Sequence, residues 1–235
     1  MATVPVVERK LKIAERGAAI AALFAPIFCV LCIRVWNSAD PWSRVNIFSV
    51  GYAALISVSY IEQSFVFLRS AFRTESTLKE AIGAIYDPVL VRASLVLGFF
   101  DYAYLLEYVH WRFAPFLIRV PLQWAGLVAA AGSLAMLGWA DRWLSRHFAD
   151  DIAAGKLMTG GPYRFVRHPR YVSIILAKVA APLMLGSLLA WIALPLWLVL
   201  VFRRIRLEEA HLRSIFGAGY GSYASRTARL FPGIY

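Results

Sequence analysis

Apolar residues run along this chain in long blocks nearly free of charge, parted by polar segments. The blocks cover about residues 17–36, 46–68, 89–109 and 117–140; a polar stretch, 141–170, then leads into the apolar run 171–202. Within 172–202 the only charged residue is Lys178, and the run exceeds the roughly 18 residues that mark a membrane span. It is too long for one span and slightly short for two. Pro182 and Gly186 bracket a turn, so the pattern predicts a tight hairpin of two helices, with Pro195 as a kink in the second. The expected fold is an all-α, polytopic membrane helical bundle of about six spans, or five if the C-terminal hairpin is re-entrant. The first block is longer than a signal-peptide core and lacks a small-residue cleavage pattern, so it reads as a retained helix.

Composition supports a membrane chain. Hydrophobic residues make up 60% and charged residues 17% of the 235 positions, against about a quarter charged and at most half apolar in an ordinary soluble domain. The formal net charge of +11 invites a nucleic-acid reading, but the cations sit at the ends of apolar segments rather than along one groove. Segments 1–16, 69–92, 141–170 and 203–235 hold 20 of the 25 Lys and Arg residues. The positive-inside rule then puts those segments and both termini in the cytoplasm, of a bacterial inner membrane or the endoplasmic reticulum. The lipid bilayer is the expected partner, and nucleic acid is not. The same count puts 141–170 and 203–235 on one side of the membrane, where they can build one site. The chain thus divides into a four-span membrane region, 1–140, and a chemistry-bearing region, 141–235.

Cys29 and Cys32 fall mid-helix without a second pair and read as core packing. No His, Cys, Asp and Glu set has metal-ligand spacing, so no metal is expected. Glu62, Asp101, Glu107 and Lys178 lie in or near spans, where charge suggests a functional site by default. For Lys178, pairing with Asp101 or Glu62 and a place in a substrate cavity stand as equal alternatives.

Three segments carry candidate chemistry. In 159–171, Gly160, Gly161 and Pro162 form a turn that would let backbone approach a ligand. Arg164, Arg167, His168 and Arg170 follow among the aromatics Tyr163 and Tyr171. Pro169 suits the first turn of a helix, which leaves His168 near its N-cap. In 203–211, Arg204, Glu208 and His211 share one helix face at i, i+4 and i+7. Arg before Glu is the weaker order for helix pairing, so ligand contact competes with a structural ion pair. In the tail, glycines beside Tyr220 and Tyr223 suggest a short packed helix entered by a turn.

The ordered set Gly-x-Tyr, Arg-His-Pro-x-Tyr, a hydrophobic hairpin, Arg-x-x-x-Glu-Glu-x-x-Leu, Phe-Gly-x-x-Tyr-x-x-Tyr and a Pro-Gly-Ile ending resembles the isoprenylcysteine carboxyl methyltransferase family, with which phospholipid N-methyltransferases share a core. The resemblance covers about residues 155–235. It implies S-adenosylmethionine as cofactor in a cytoplasmic pocket. The backbone of Gly155, Lys156, Leu157 and Met158 would hold the adenosine portion. Tyr163, His168, Pro169 and Tyr171 would complete the pocket, and Glu208 would meet the cofactor from the last helix. Arg204 matches the family's substrate-binding arginine, and with Glu208 forms the expected catalytic pair. Glu209, His211, Tyr220 and Tyr223 are shell candidates. One position departs: the family usually has Gly where Ser173 stands, which loosens the expectation of close packing there. The implied activity is methyl transfer to a lipophilic acceptor, lipidic or lipid-linked, such as a prenylcysteine-type carboxylate. The alternatives are an NADPH-dependent membrane sterol-type reductase, a phospholipid N-methyltransferase, a small-thiol methyltransferase and a non-catalytic membrane protein.

Overall fold

The computed structural model describes residues 24–34, 45–72, 87–153 and 156–233. Six α-helices account for most of them: α1 Ala25–Arg34, α2 Ile47–Phe72, α3 Pro88–Leu106, α4 Val120–Ala153, α5 Pro169–Leu185 and α6 Leu188–Ala224. Each apolar block of the sequence thus becomes a helix. The block 17–36 is helical over Ala25–Arg34, and its earlier residues, like segment 1–16, lie outside the described residues. Two helices, α4 over Val120–His147 and α6, are long and apolar enough to cross a membrane. Large apolar side chains stand exposed on several of the helices, among them Phe99, Val128 and Val199. That surface suits lipid and not water.

Local chemistry sets the helix ends. Asp87 caps α3 by accepting from the N–H groups of Val89 and Leu90, and Pro88 fills the position where no donor is needed. α3 runs on into a π-turn, Glu107–Trp111, which ends at Arg112 with φ 49°. α4 continues unbroken through residue 140, where apolar sequence gives way to polar, for about 50 Å in all.

The hairpin turns at Gly186 and Ser187, and Pro182 lies inside α5. Gly186 has φ +57°, and a Cβ there would stand 2.9 Å from the backbone nitrogen of Ile118, so the position demands glycine twice over. Ser187 caps α6 through Ala190 N–H. The buried Glu107 accepts from the Ser187 hydroxyl and from the N–H groups of Leu188 and Leu189. A carboxylate at a helix N-terminus satisfies orphan donors and the helix dipole together. Gln123 donates to the Met184 carbonyl at the end of α5. The charge at Glu107 therefore holds the hairpin.

α4 and α5 form the most extensive helix pair. Small residues allow the approach: a Cβ on Gly126 would stand 2.7 Å from the Met184 nitrogen. The Ser133 hydroxyl donates to the Ser173 carbonyl at 2.9 Å and stands 3.3 Å from the Ser173 hydroxyl. Ser173 is buried. The serine where the family has glycine is thus accommodated by a hydroxyl pair, and the helices still pack closely.

Lys178 pairs with Asp101 at 2.6 Å, and Glu62 takes no part. Tyr60 and Tyr52 donate to the same Asp101 carboxylate, at 2.6 and 3.2 Å. The Lys178 ammonium also lies 4.0 Å from the centroid of the Trp197 ring. Four helices, α2, α3, α5 and α6, meet at this ion pair, and of the two readings of Lys178 the structure shows the pairing.

Candidate functional site

The polar end of the bundle gathers the three motif-bearing segments. Asp87 receives Arg203 at 2.7 Å and so ties the start of α3 to α6, one residue before Arg204. A core of Val166, Val172, Ile175, Val201, Ile205 and Leu230 packs α5, α6 and the tail beneath the site.

The motif residues of α5 and α6 meet. Burial pushes the Tyr171 phenol up, with Glu208 adding to that rise and Arg204 pulling against it, so both charged groups stand close to this ring. Arg204 and Glu208 thus flank one side chain of the neighbouring helix. Tyr163 faces the same region: burial pushes its phenol up to about 12, with Arg170 pulling against that rise and Glu208 and Asp141 adding to it. Four charged side chains, Asp141 of α4, Arg170 of α5 and Arg204 and Glu208 of α6, therefore converge around two tyrosine rings.

Glu209, one residue on, does something different. It is 3% exposed and receives Arg167 at 3.1 Å, His168 Nε2 at 3.2 Å and Arg229 at 2.8 Å. Burial alone would push its carboxyl up. The hydrogen bonds from His168 and Arg229 and the charges of Arg229 and Arg167 outweigh burial and hold it at about 2. Arg167 also donates to the carbonyls of Ala224, at 2.7 Å, and Thr227. The backbone completes the joint: Arg167 N–H reaches Ala228 O at 2.8 Å, and His168 N–H reaches Arg229 O at 3.2 Å. His168, the N-cap residue of α5, makes no side-chain cap. Its ring turns to Glu209 instead.

The tail folds as the sequence suggests. α6 breaks at Gly217 (φ 48°, ψ −122°) and resumes for two turns to Ala224. Tyr220 is fully buried, and Tyr223 donates to the Tyr163 carbonyl at 2.6 Å. The turn at Gly160 and Gly161 lies against the Trp143 indole of α4. A Cβ on either glycine would come within 2.6 or 2.3 Å of the Trp143 indole, and Gly161 has φ +56°. Backbone passes close to a ring of α4, which excludes any larger residue.

Of the expected cofactor loop, Gly155 lies outside the described residues. Lys156 is exposed, while Leu157 and Met158 are half-buried. Pro169 opens α5 and is buried. Leu157, Thr159 and Arg164 face Phe216, Tyr223 and Arg226 across a cavity of about 560 Å³. Tyr163, Tyr171, Arg204 and Glu208 do not line it. Among the described residues no group of His, Cys, Asp and Glu could hold a metal ion.

Comparison with known proteins finds similarity over the region that carries these motifs. The family description "Phospholipid methyltransferase" matches residues 116–219. The methanethiol S-methyltransferase 1 of Bradyrhizobium diazoefficiens is 40% identical over 70 residues, 30% of this chain and 24% of that protein. The protein-S-isoprenylcysteine O-methyltransferase of Schizosaccharomyces pombe is 35% identical over 77 residues, 32% of this chain and 33% of that one. The protein-S-isoprenylcysteine O-methyltransferase B of Arabidopsis thaliana is 37% identical over 81 residues, 33% and 40% of the two chains. The chain therefore spans between a quarter and two-fifths of the length of these relatives. No solved structure matches significantly. Residues 116–219, which contain α4, the motif loop, α5 and most of α6, are thus similar to the phospholipid methyltransferase family.

Proposed function

We propose that the protein is an integral-membrane methyltransferase that uses S-adenosylmethionine and acts on a lipidic or lipid-linked acceptor, an anionic carboxylate suiting Arg204 best. The observation that carries this reading is the meeting of Arg204 and Glu208, one turn apart on α6, beside Tyr171 of α5. A cation that can orient an anionic acceptor stands beside a carboxylate that can hold the donor. The residues present fit the donor: two aromatic rings, Glu208, and the buried Asp141 carboxylate, whose oxygens have no hydrogen bond, offer stacking faces and acceptors for a cationic, polar nucleoside. Bound there, S-adenosylmethionine supplies an activated methyl group on a sulfonium, chemistry that needs no metal.

The chain's own contribution is alignment and exclusion of water. Held geometry supplies roughly 7–11 kcal/mol of a barrier in well-oriented reactions. Arg204 fixes a carboxylate through a planar fork of donors. Lys156, Leu157, Met158, Tyr163, His168, Pro169, Tyr171 and Glu208 form the donor side in this reading. The Glu209 hub positions His168 from behind, and Tyr223 holds the Tyr163 carbonyl. Charge topology places this end of the bundle, and both termini, in the cytoplasm of a chain with about six spans. A lipophilic acceptor then enters sideways from the bilayer while the donor enters from water.

The similarity to a methanethiol methyltransferase favours a second acceptor class, a small thiol. A thiol must lose a proton. Glu209 is committed to its cations, whereas His211 Nε2 is buried without a hydrogen bond on the helix face of Arg204, so His211 is the base in that reading.

Radiolabelled methyl transfer from S-adenosylmethionine, run with membrane lipids, prenylated thiols and small thiols, tests both. Label in one acceptor class identifies it. Label in none, with no stabilisation by S-adenosylhomocysteine, sinks the methyltransferase reading. Stabilisation by NADPH instead would point to a sterol-type reductase.

A further inference from the structure

Asp141 belongs to none of the motifs, yet it is among the least satisfied polar groups of the site. It sits on α4 at the point where apolar sequence ends, and both carboxylate oxygens are buried without a hydrogen bond. Arg170 Nε stands 3.3 Å from Oδ1, close enough for an ion pair but out of line for a hydrogen bond. A buried carboxylate with no donor is costly, and native structures rarely leave one so. Its surroundings are those of the proposed donor pocket: Tyr163 feels the charges of Arg170, Glu208 and Asp141 together.

We propose that Asp141 is a donor-binding residue whose carboxylate accepts the ammonium group of the amino-acid end of S-adenosylmethionine, with Arg170 facing the carboxylate of that end. The amino-acid end is a zwitterion, and the Asp141–Arg170 pair is its complement. The offset of Arg170 from Asp141 leaves the lone pairs of Asp141 for a ligand N–H. The assignment rests on the S-adenosylmethionine reading above and deepens it. Glu208 and Tyr171 then remain for the nucleoside and for Arg204.

Calorimetric binding with two ligands tests it on the full-length protein in detergent. S-Adenosylhomocysteine carries the amino-acid end, and 5′-methylthioadenosine lacks it while keeping the nucleoside. The Asp141→Asn variant should lose about tenfold or more in affinity for S-adenosylhomocysteine, as expected for a hydrogen bond to a charged group. Its affinity for 5′-methylthioadenosine should match wild type, which also shows that the variant is folded. Equal losses for both ligands would overturn the assignment, since Asp141 would then act on the nucleoside or on the fold. No loss for either would overturn it as well. A wild-type protein that bound neither ligand would sink the donor reading, an outcome distinct from a wild type that binds both and a variant that does not discriminate.

Discussion

His168 Nε2 stands 3.2 Å from Glu209 Oε1, a contact that joins the start of α5 to the polar end of α6. The same carboxylate takes Arg167 and Arg229, so the motif loop, the last helix and the tail meet on one side chain. Removing one partner of a buried ion pair costs more than the pair contributes, because charges are left without compensation. Glu209→Ala is expected to destabilise the protein by about 3 kcal/mol, the low end of the usual range because the arginines are partly wet. Thermal unfolding in detergent measures this, and an unchanged melting temperature would contradict the hub. Glu209→Gln, which keeps an acceptor, should cost less.

The pH response of that hub follows from its direction. The Glu209 carboxyl lies at about 2, below its ordinary value of 4.5. A depressed acid contributes stability that is fully present above the unfolded value and is lost as pH falls through the folded one. Melting temperature should therefore decline between about pH 4.5 and pH 2, and Glu209→Gln should flatten part of that decline. An identical acid profile in wild type and variant would show that Glu209 is not the group lost.

The ion pair of Lys178 and Asp101 makes a separate prediction. Lys178→Gln alone strands a buried carboxylate between two tyrosines, and Asp101→Asn alone strands the ammonium; either should cost about 3–5 kcal/mol. The double variant keeps hydrogen-bonding groups and removes both charges, so it should melt near wild type. Melting temperatures of the four proteins form a thermodynamic cycle. Additive losses would mean that the charges act independently.

Much of this arrangement was legible in the sequence, and the misses have definite causes. Unbroken apolar blocks could only become buried or lipid-facing helices, so the helices are where the pattern put them. Glu209 carried a signal in its register: Trp197, Val201, Ile205 and Glu209 recur every four residues and all are buried. An acidic residue that continues an apolar stripe must be paired inside. The motif view put Glu208 first and hid that stripe. The ring against Gly160 and Gly161 was not legible, because Trp143 comes from α4 and sequence spacing gives no distance between elements. Ser173 looked like a loosening of the packing because its partner, Ser133, is visible only once α4 lies on α5.

Gly161 supports a steric prediction. Alanine there must adopt φ +56° and would place its Cβ 2.3 Å from the Trp143 ring. Strain in the left-handed region costs on the order of 1–3 kcal/mol, and overpacking adds a similar amount. Gly161→Ala should lower the melting temperature and weaken S-adenosylhomocysteine binding by displacing the loop. Trp143→Leu should recover the steric part but leave the backbone strain. If Trp143→Leu gives no relief, the ring is not what the glycine accommodates.

The Tyr171 hydroxyl offers the most direct test of how the site is aligned. It stands beside both Glu208 and Arg204, the two groups assigned to donor and acceptor. Tyr171→Phe keeps the ring and its packing against the core that joins α5, α6 and the tail. What it loses is the hydroxyl beside two charged groups, and a hydrogen bond to a charged group is worth about 1.5–3 kcal/mol. Part of that loss should appear in the transition state, as a fall of about tenfold or more in kcat/KM. Ground-state binding of 5′-methylthioadenosine should change little, because the ring stays. A variant that lost nucleoside affinity and kept its kcat would assign Tyr171 to donor binding alone. In that case Arg204 and Glu208 would need no common partner to act together.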